Sequence, residues 1–409
     1  MSHSNSVQPN VTNGSMVSSD LARAASNVGK PWRILHTESS MEMGGQEYRV
    51  LEEALGMANR GHEVIVAVPQ GSQMASLAQK KELPIELTAS GKTAWINLVT
   101  TYLRIIRHHR IEIVNTHGSL DSWTASVAGR LSPLKPIIIR TRHKSTPISQ
   151  TWRHQWLYKY LPHGVMTTSE RIRKEMITRQ TLDPTRTLSV PTGVNLGIFD
   201  ATNTQEDLRK EFGIGKESIV LGTVAFLRDY KGIHLCLDAV ALLRHQFPTL
   251  KFLVVGDGPE GLRLREKAES LGIQNYVHFV GFRSDVHRVL AALDVFVLPS
   301  TAGEGVPQAI TQAMAMGVPV VATSIGGIPE VVIHEETGML VPVNNVEALT
   351  HCIRDLLKDA SLCAKMVAKA QALVAQSYSL EVMLDAVEQF YGEMLRNTHD
   401  PQVGRVALN

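Results

Sequence analysis

The chain is poor in cysteine: three residues in 409, Cys236, Cys352 and Cys363. They are scattered, with neither pairing nor metal-like spacing. That argues against a disulfide framework and fits a reducing compartment. The sixteen histidines form no His-x-His or His-Glu-x-x-His, and no two aspartates stand two apart. Metal chemistry therefore has no motif to rest on, and scattered surface and core histidines are the simpler reading. No run of about 18 apolar residues occurs, which argues against a membrane-spanning helix. Residues 1–30 lack a compact apolar run and a cleavage-like site. A loose N-terminal tail is expected there rather than a secretory signal. No internal repeat is evident at the roughly 20–50 residue scale.

Apolar residues make up 44% and charged residues 20%, an ordinary globular composition. The length suits two domains of near-average size. A net charge of +2 hides an asymmetry. Residues 1–200 hold 23 lysines and arginines against 15 aspartates and glutamates, and the remainder holds 18 against 24. The stretch 130–186 alone has 12 basic and 3 acidic side chains. A basic half beside an acidic half suggests modules with different partners.

Short β-rich runs alternate with amphipathic stretches. Strands are expected at Trp32–Thr37, Glu63–Val68, Ile111–Asn115, Pro136–Arg140 and Met166–Ser169. After a break near Ser189–Thr204 the alternation restarts, with strands at Ile219–Leu227, Lys251–Val255, Val277–Val280, Val295–Leu298 and Val318–Thr323. Beyond Pro342 the chain reads as helical to about Leu395. Strand and helix in alternation mean parallel sheets covered on both faces. Near-continuous apolar strands such as Ile137-Ile138-Ile139 agree. The expected fold class is α/β, two doubly wound domains in tandem, joined at the segment holding Pro191, Gly193 and Gly197. In such sheets ligands sit beyond the carboxyl ends of the strands.

Five segments occupy those ends. Gly256-Asp257-Gly258-Pro259-Glu260-Gly261 is literally G-x-G-x-x-G, with Pro259 read as the first helical residue. A dinucleotide site needs an acidic residue near twenty positions on, and Asp285 lies 24 after Gly261. A tight turn lining a cleft is the better reading. Gly44-Gly45 lies before a helix, where backbone N–H groups approach phosphate or sugar, or where the chain merely turns. Arg228 and Lys231 follow a strand and suit a diphosphate, or simply a solvated turn. Glu304 stands between Gly303 and Gly305, and a helix is expected to start near Pro307, its positive end facing the same place. Gln312 projects from that helix's first turns. His117 and His143 end two strands, although a lone histidine is more often structural.

Together these segments resemble the family-4 retaining glycosyltransferases, from about Arg33 to Phe390. The carrying stretches include Val254–Pro259, Val280-Gly281-Phe282, Ala292–Ser300, Gly317–Thr323, Gly326–Val332 and Thr337–Val341. The resemblance implies a GT-B fold, two facing Rossmann-like domains with an interdomain cleft. It divides the chain into a tail (1–30), an acceptor-binding domain (31–195), a nucleotide-sugar domain (205–378) and a helix (379–397) crossing back to the first domain. It implies catalytic roles for Glu304, Lys231, Arg228 and His117. Gly45, Gly256, Asp257, Phe282, Arg283, Gly305, Val306, Pro307 and Gln312 would bind the donor. Gly44, Gln46, Arg142 and His143 would lie on the acceptor side. Two positions depart from the family: Gln312 replaces a glutamate that holds ribose, and Phe226 stands where an arginine is usual. An amide can still accept from ribose hydroxyls, and Arg228 is the candidate substitute.

The implied activity is retaining, metal-independent sugar transfer from a nucleotide-diphosphate-sugar to a glycan or glycolipid. Lipopolysaccharide or cell-envelope polysaccharide synthesis in the cytoplasm is the expected setting. No cofactor, no metal and no nucleic acid is expected. The basic stretch with Trp152 and Trp156 suggests peripheral contact with anionic membrane, or else a solvated helix face. The rival readings are a GT-B epimerase acting on a nucleotide-sugar, an NAD oxidoreductase built on Gly256–Gly261, and a non-catalytic nucleotide-sugar-binding subunit.

Overall fold

The computed structural model describes residues 30–91, 95–143, 151–203 and 208–399. Among these residues two parallel sheets form. The first contains β1 (Arg33–Thr37), β2 (Glu63–Pro69), β3 (Ile85–Thr88), β4 (Ile113–Thr116), β5 (Ile137–Arg142), β6 (Gly164–Thr167) and β7 (Thr187–Ser189). Their spatial order is β3-β2-β1-β4-β5-β6-β7. The second contains β8 (Val220–Val224), β9 (Lys251–Val255), β10 (Val277–Gly281), β11 (Val295–Leu298), β12 (Val320–Thr323) and β13 (Met339–Val341), in the order β10-β9-β8-β11-β12-β13. The expected tandem α/β class is the observed one.

The strands explain themselves by burial. Successive side chains face opposite sides of a sheet. Ile34 enters a core with Val50, Leu51 and Met57, while Leu35 enters another with Tyr102, Ile105 and Ile106. In the second sheet Leu253 and Val255 face one core, and Phe252 and Val254 face the other. Two buried faces require apolar residues at consecutive positions, so these strands are legible. The three unforeseen strands, β3, β7 and β13, are all sheet edges. These three edge strands are only three or four residues long, so they need few apolar positions and read as loop. The expected strand Ile219–Leu227 is shorter at both ends, because residues 225–228 turn over the β9 loop: the Leu227 N–H donates to the Asp257 carbonyl at 2.8 Å.

The last helix, Leu380–His399, packs on the first domain. Met383, Leu384, Val387, Phe390, Tyr391 and Met394 recur at helical spacing and are all buried in its core. On its polar side Glu381, Asp385 and Glu388 converge on Arg60, at 2.8, 2.8 and 2.9 Å. The two chain crossings between the domains run together: the Val194 N–H donates to the Tyr378 carbonyl, and the Leu380 N–H to the Val194 carbonyl, both at 2.8 Å. A side chain at Gly193 would strike Leu380 Cα at 2.6 Å, so this paired hinge needs glycine there.

Candidate active site between the two sheets

Strand order reverses between β1 and β4 in one sheet and between β8 and β11 in the other. Such points open a crevice at the carboxyl ends. His36 lies on β1 and His117 follows β4, while Lys231 follows β8 and Glu304 follows β11.

The loops carrying Lys231 and Glu304 are stitched together. The Thr301 N–H donates to the Tyr230 carbonyl at 2.7 Å. Gly232 has φ of 67°, and a Cβ there would lie 2.0 Å from the Pro299 carbonyl oxygen. Glycine serves here on two counts, backbone conformation and close approach. The result is an ion pair: Lys231 Nζ lies 2.6 Å from Glu304 Oε1, with both side chains largely buried. The Ser300 hydroxyl donates to the same oxygen at 2.6 Å. No side chain among the described residues bonds Oε2. Ser300, which orients Glu304, went unnoticed in the sequence. A hydroxyl four residues from a loop carboxylate carries no signal without the loop's geometry.

Arg228 is exposed, and its guanidinium lies 5.0 Å above the Phe226 ring. The cation thus sits over the residue that occupies the usual arginine position. Gln312 is half-buried on the helix Gln308–Ala315. Pro307 is that helix's cap, with extended backbone, not its first residue, which corrects the expected start by one position. Pro259 likewise precedes its helix, Gly261–Ser270, by two residues. Gly256 has φ of 128°, and a Cβ there would meet the Ala225 carbonyl at 1.9 Å. Packing against the β8 loop therefore requires glycine at 256, and at 258, where a Cβ would lie 2.5 Å from the Leu227 carbonyl oxygen. Asp257 accepts the Phe282 N–H at 3.0 Å and ties two loops together. The Phe282 ring is 54% exposed beside them. Arg283 is held by Asp285 at 2.7 Å and by Glu211.

On the first domain the glycine pair is less open than the sequence suggests. The Gly44 N–H already donates to Glu47 Oε2 at 2.8 Å, closing the helix Gly45–Asn59. The Gln46 amide donates to Glu38 at 2.6 Å. Burial, with Asp121 and Glu47 nearby, pushes the Glu38 carboxyl up to about 8. Arg142 donates to the Tyr158 hydroxyl at 3.0 Å. His117 is buried between His36 and His143, each junction 3.0 Å. Burial and the neighbouring His143, His36, Arg140 and Arg49 hold its imidazole well below the ordinary histidine range. Among the described residues no three His, Cys, Asp or Glu side chains are grouped to hold a metal ion.

The domains touch across this site. The Val306 N–H donates to the Thr168 carbonyl at 3.4 Å. A Cβ on Gly305 would lie 2.6 Å from Thr168 Oγ1, and one on Gly327 would lie 2.8 Å from Ser169 Cβ. Glu330 reaches over and accepts the Glu170 and Arg171 N–H groups, each at 2.8 Å. Ser169 accepts the Ile172 N–H. The helix Glu170–Gln180 therefore has its first donors satisfied partly by the other domain. Glu330→Ala is expected to loosen this tie by about 1.5–3 kcal/mol. Hydrogen exchange should then quicken at residues 170–171 while core strands stay protected, and unchanged exchange there would refute the tie.

The Glycosyltransferase Family 4 description matches residues 43–197, and Glycosyl transferases group 1 matches residues 204–373. The N-acetyl-alpha-D-glucosaminyl L-malate synthase of Bacillus anthracis is 31% identical over 48% of this chain, and the chain spans about half (51%) of that relative's length. An Escherichia coli UDP-Gal:alpha-D-GlcNAc-diphosphoundecaprenol alpha-1,3-galactosyltransferase is 24% identical over 74% of this chain and 80% of its own. Among solved structures, Anabaena Alr3699/HepE in complex with UDP and glucose shares the fold with a TM-score of 0.80, at 22% identity, covering 88% of this chain and all of its own. With a Family 4 domain followed by a group 1 domain on paired GT-B sheets, the chain belongs to the glycosyltransferases.

Proposed function

We propose that the chain is a retaining, metal-independent transferase that moves a sugar from a nucleotide-diphosphate-sugar to a glycan or glycolipid of the cell envelope. The observation that carries this reading is the Lys231–Glu304 pair at the switch point of the second sheet. Negative charge grows on the diphosphate as the glycosidic bond breaks. A fixed cation at Lys231, with a second contributed by the exposed Arg228, stabilises that charge, and preorganised electrostatics of this kind is commonly the largest catalytic term. Glu304 Oε2 is placed to accept from donor-sugar hydroxyls. Phe282 offers an exposed ring for the base, with Gln312 nearer the ribose. In the balanced step the anomeric C–O(phosphate) bond breaks and the acceptor oxygen bonds to that carbon on the same face. The acceptor's proton passes to a phosphate oxygen, so no side chain need act as base. The coli relative's name, with its lipid-diphosphate-linked sugar, supports a glycolipid acceptor. Product anomers are read by NMR after turnover with a chelator present. An α-linked product from an α-donor is expected, whereas an inverted product or complete loss with chelator would contradict retention or metal independence respectively.

A peripheral site at the inner membrane face is supported by the exposed surface of Trp152–Tyr160. Trp152, Trp156 and Tyr160 are 66%, 49% and 52% exposed, with the Arg153 guanidinium over Trp152 and the Lys159 ammonium over Tyr160. No helix among the described residues is long and apolar enough to cross a membrane. Aromatic bodies with cationic tips suit an anionic interface. Flotation with phosphatidylglycerol vesicles is expected to carry the protein, and the double change Trp152→Ala with Trp156→Ala to weaken it about tenfold. Equal flotation with neutral vesicles would sink the electrostatic part.

A further inference from the structure

The turn that enters the helix Glu170–Gln180 is seated in the other domain, against the backbone that carries Glu304. Thr168 and Ser169 are 4% and 0% exposed. They lie against Gly305 and Gly327, where a Cβ would fall 2.6 Å from Thr168 Oγ1 and 2.8 Å from Ser169 Cβ. The two glycines also touch each other: a Gly327 Cβ would fall 2.8 Å from the Gly305 carbonyl carbon. The Gly327 N–H donates to the Glu304 carbonyl at 3.2 Å. Gly326, at φ of 60°, passes so close that a Cβ there would overlap the same carbonyl oxygen. The backbone of Glu304 is thus backed by the 326–327 turn, and that turn is backed by Ser169.

Glu330 fastens this seat. Its two carboxylate oxygens accept one N–H each, from Glu170 and Arg171, both at 2.8 Å. These are orphan donors of the helix's first turn, so the bonds are charge-assisted and favoured by the helix dipole. Beside them the Val306 N–H donates to the Thr168 carbonyl at 3.4 Å. The Glu330 backbone is held separately. Its carbonyl accepts the Tyr378 hydroxyl at 2.9 Å, and the Tyr378 carbonyl belongs to the paired hinge. Removing the carboxylate therefore breaks the fastening and leaves that backbone anchor in place.

We infer that Glu330 is a positioning residue for the transfer reaction: by fastening the Thr168–Ser169 turn into the glycine seat, it holds the Glu304 backbone in register with Lys231. The consequence for transfer rests on the transferase reading, whereas the fastening and its reach to residues 306 and 327 do not.

The test breaks one connection from each domain in the full chain. Glu330→Ala removes both acceptors. Glu170→Pro removes one donor from the other side. Proline suits that position, because residue 170 is the first of its helix and Ser169 before it is extended, with φ of −160° and ψ of 152°. Glu170→Ala keeps the N–H and serves as the control. Amide hydrogen exchange is expected to quicken at Val306 and Gly327 in Glu330→Ala and Glu170→Pro, but not in Glu170→Ala. Unchanged exchange at both amides in Glu330→Ala would overturn the inference whether or not the protein transfers sugar. With folding checked by thermal melting, Glu330→Ala should lose about tenfold in kcat, the weight of one hydrogen bond to a charged group. Its donor KM should move less, since Lys231 and Glu304 remain together in one domain. Glu170→Pro should lose a smaller factor, and the double variant no more than Glu330→Ala, because both changes break the same tie. Normal kcat in Glu330→Ala, or losses that multiply in full in the double variant, would defeat the positioning role.

Discussion

Lys231→Met is expected to lower sugar transfer by about 100- to 1,000-fold, the cost of removing one preorganised group facing the developing charge. The same substitution should destabilise the fold. It leaves Glu304 with an 8% exposed side chain and without its cation. Breaking a buried pair from one side costs about 3–5 kcal/mol, because the remaining charge stays desolvated. Glu304→Gln should lose a similar factor in transfer with less loss of stability. The amide is neutral, and its oxygen still accepts from Ser300. Lys231, the more exposed partner at 15%, keeps access to water. The two variants thus separate catalysis from folding. Melting temperatures and steady-state rates measured side by side check both. Equal melting shifts, or near-normal turnover by either variant, would contradict this account of the pair.

Glu53→Leu is expected to cost about 3–5 kcal/mol by the same logic, here in the core of the first domain. Arg49 and Glu53 have completely buried side chains and pair at 3.3 Å. Glu53 Oε1 also accepts from Asn115 and from the Tyr391 hydroxyl, both at 3.0 Å. Arg49 donates in turn to the Val190 carbonyl. One network therefore joins the helix Gly45–Asn59, β4, the chain leaving β7 and the returning helix Leu380–His399. Losing Glu53 strands Arg49 in the core, with burial already holding its guanidinium below the usual range. Replacing both residues with leucine should recover much of the loss, since apolar groups of similar volume often match a buried ion pair. Chemical denaturation of the two singles and the double checks this. A double variant no more stable than Glu53→Leu would show that the network's hydrogen bonds, rather than its charges, hold the helix.

Strands with two buried faces were legible because their physics leaves a local trace, as Ile137-Ile138-Ile139 does. The short edge strands β3, β7 and β13 left none, whereas the longer edge strand β10 did. The sequence marks Lys231 and Glu304 as separate residues at strand ends. That they meet depends on β8 lying beside β11, which is a matter of strand order rather than of any local pattern. The same holds for His36 and His117, 81 positions apart and joined only because β1 lies beside β4. Glu330 belongs to a conspicuous Gly326–Val332 stretch, yet its partners are backbone groups of the other domain. Backbone donors have no sequence identity, so a cap supplied from another domain is invisible until the domains are placed. Arg228 shows the opposite case: its position two residues after Phe226 is readable, and the ring contact then shows where the cation lies.

The central claim is that Lys231 and Glu304 hold and cleave a nucleotide-diphosphate-sugar. It is tested most directly by following release of nucleoside diphosphate from a panel of uridine, guanosine and adenosine diphosphate sugars, using the purified chain and its Glu304→Gln variant. The account predicts release from at least one donor by the wild-type protein, and a loss of about 100-fold or more in the variant. Equal release by both proteins, or no release and no binding of any donor in the panel, would contradict it.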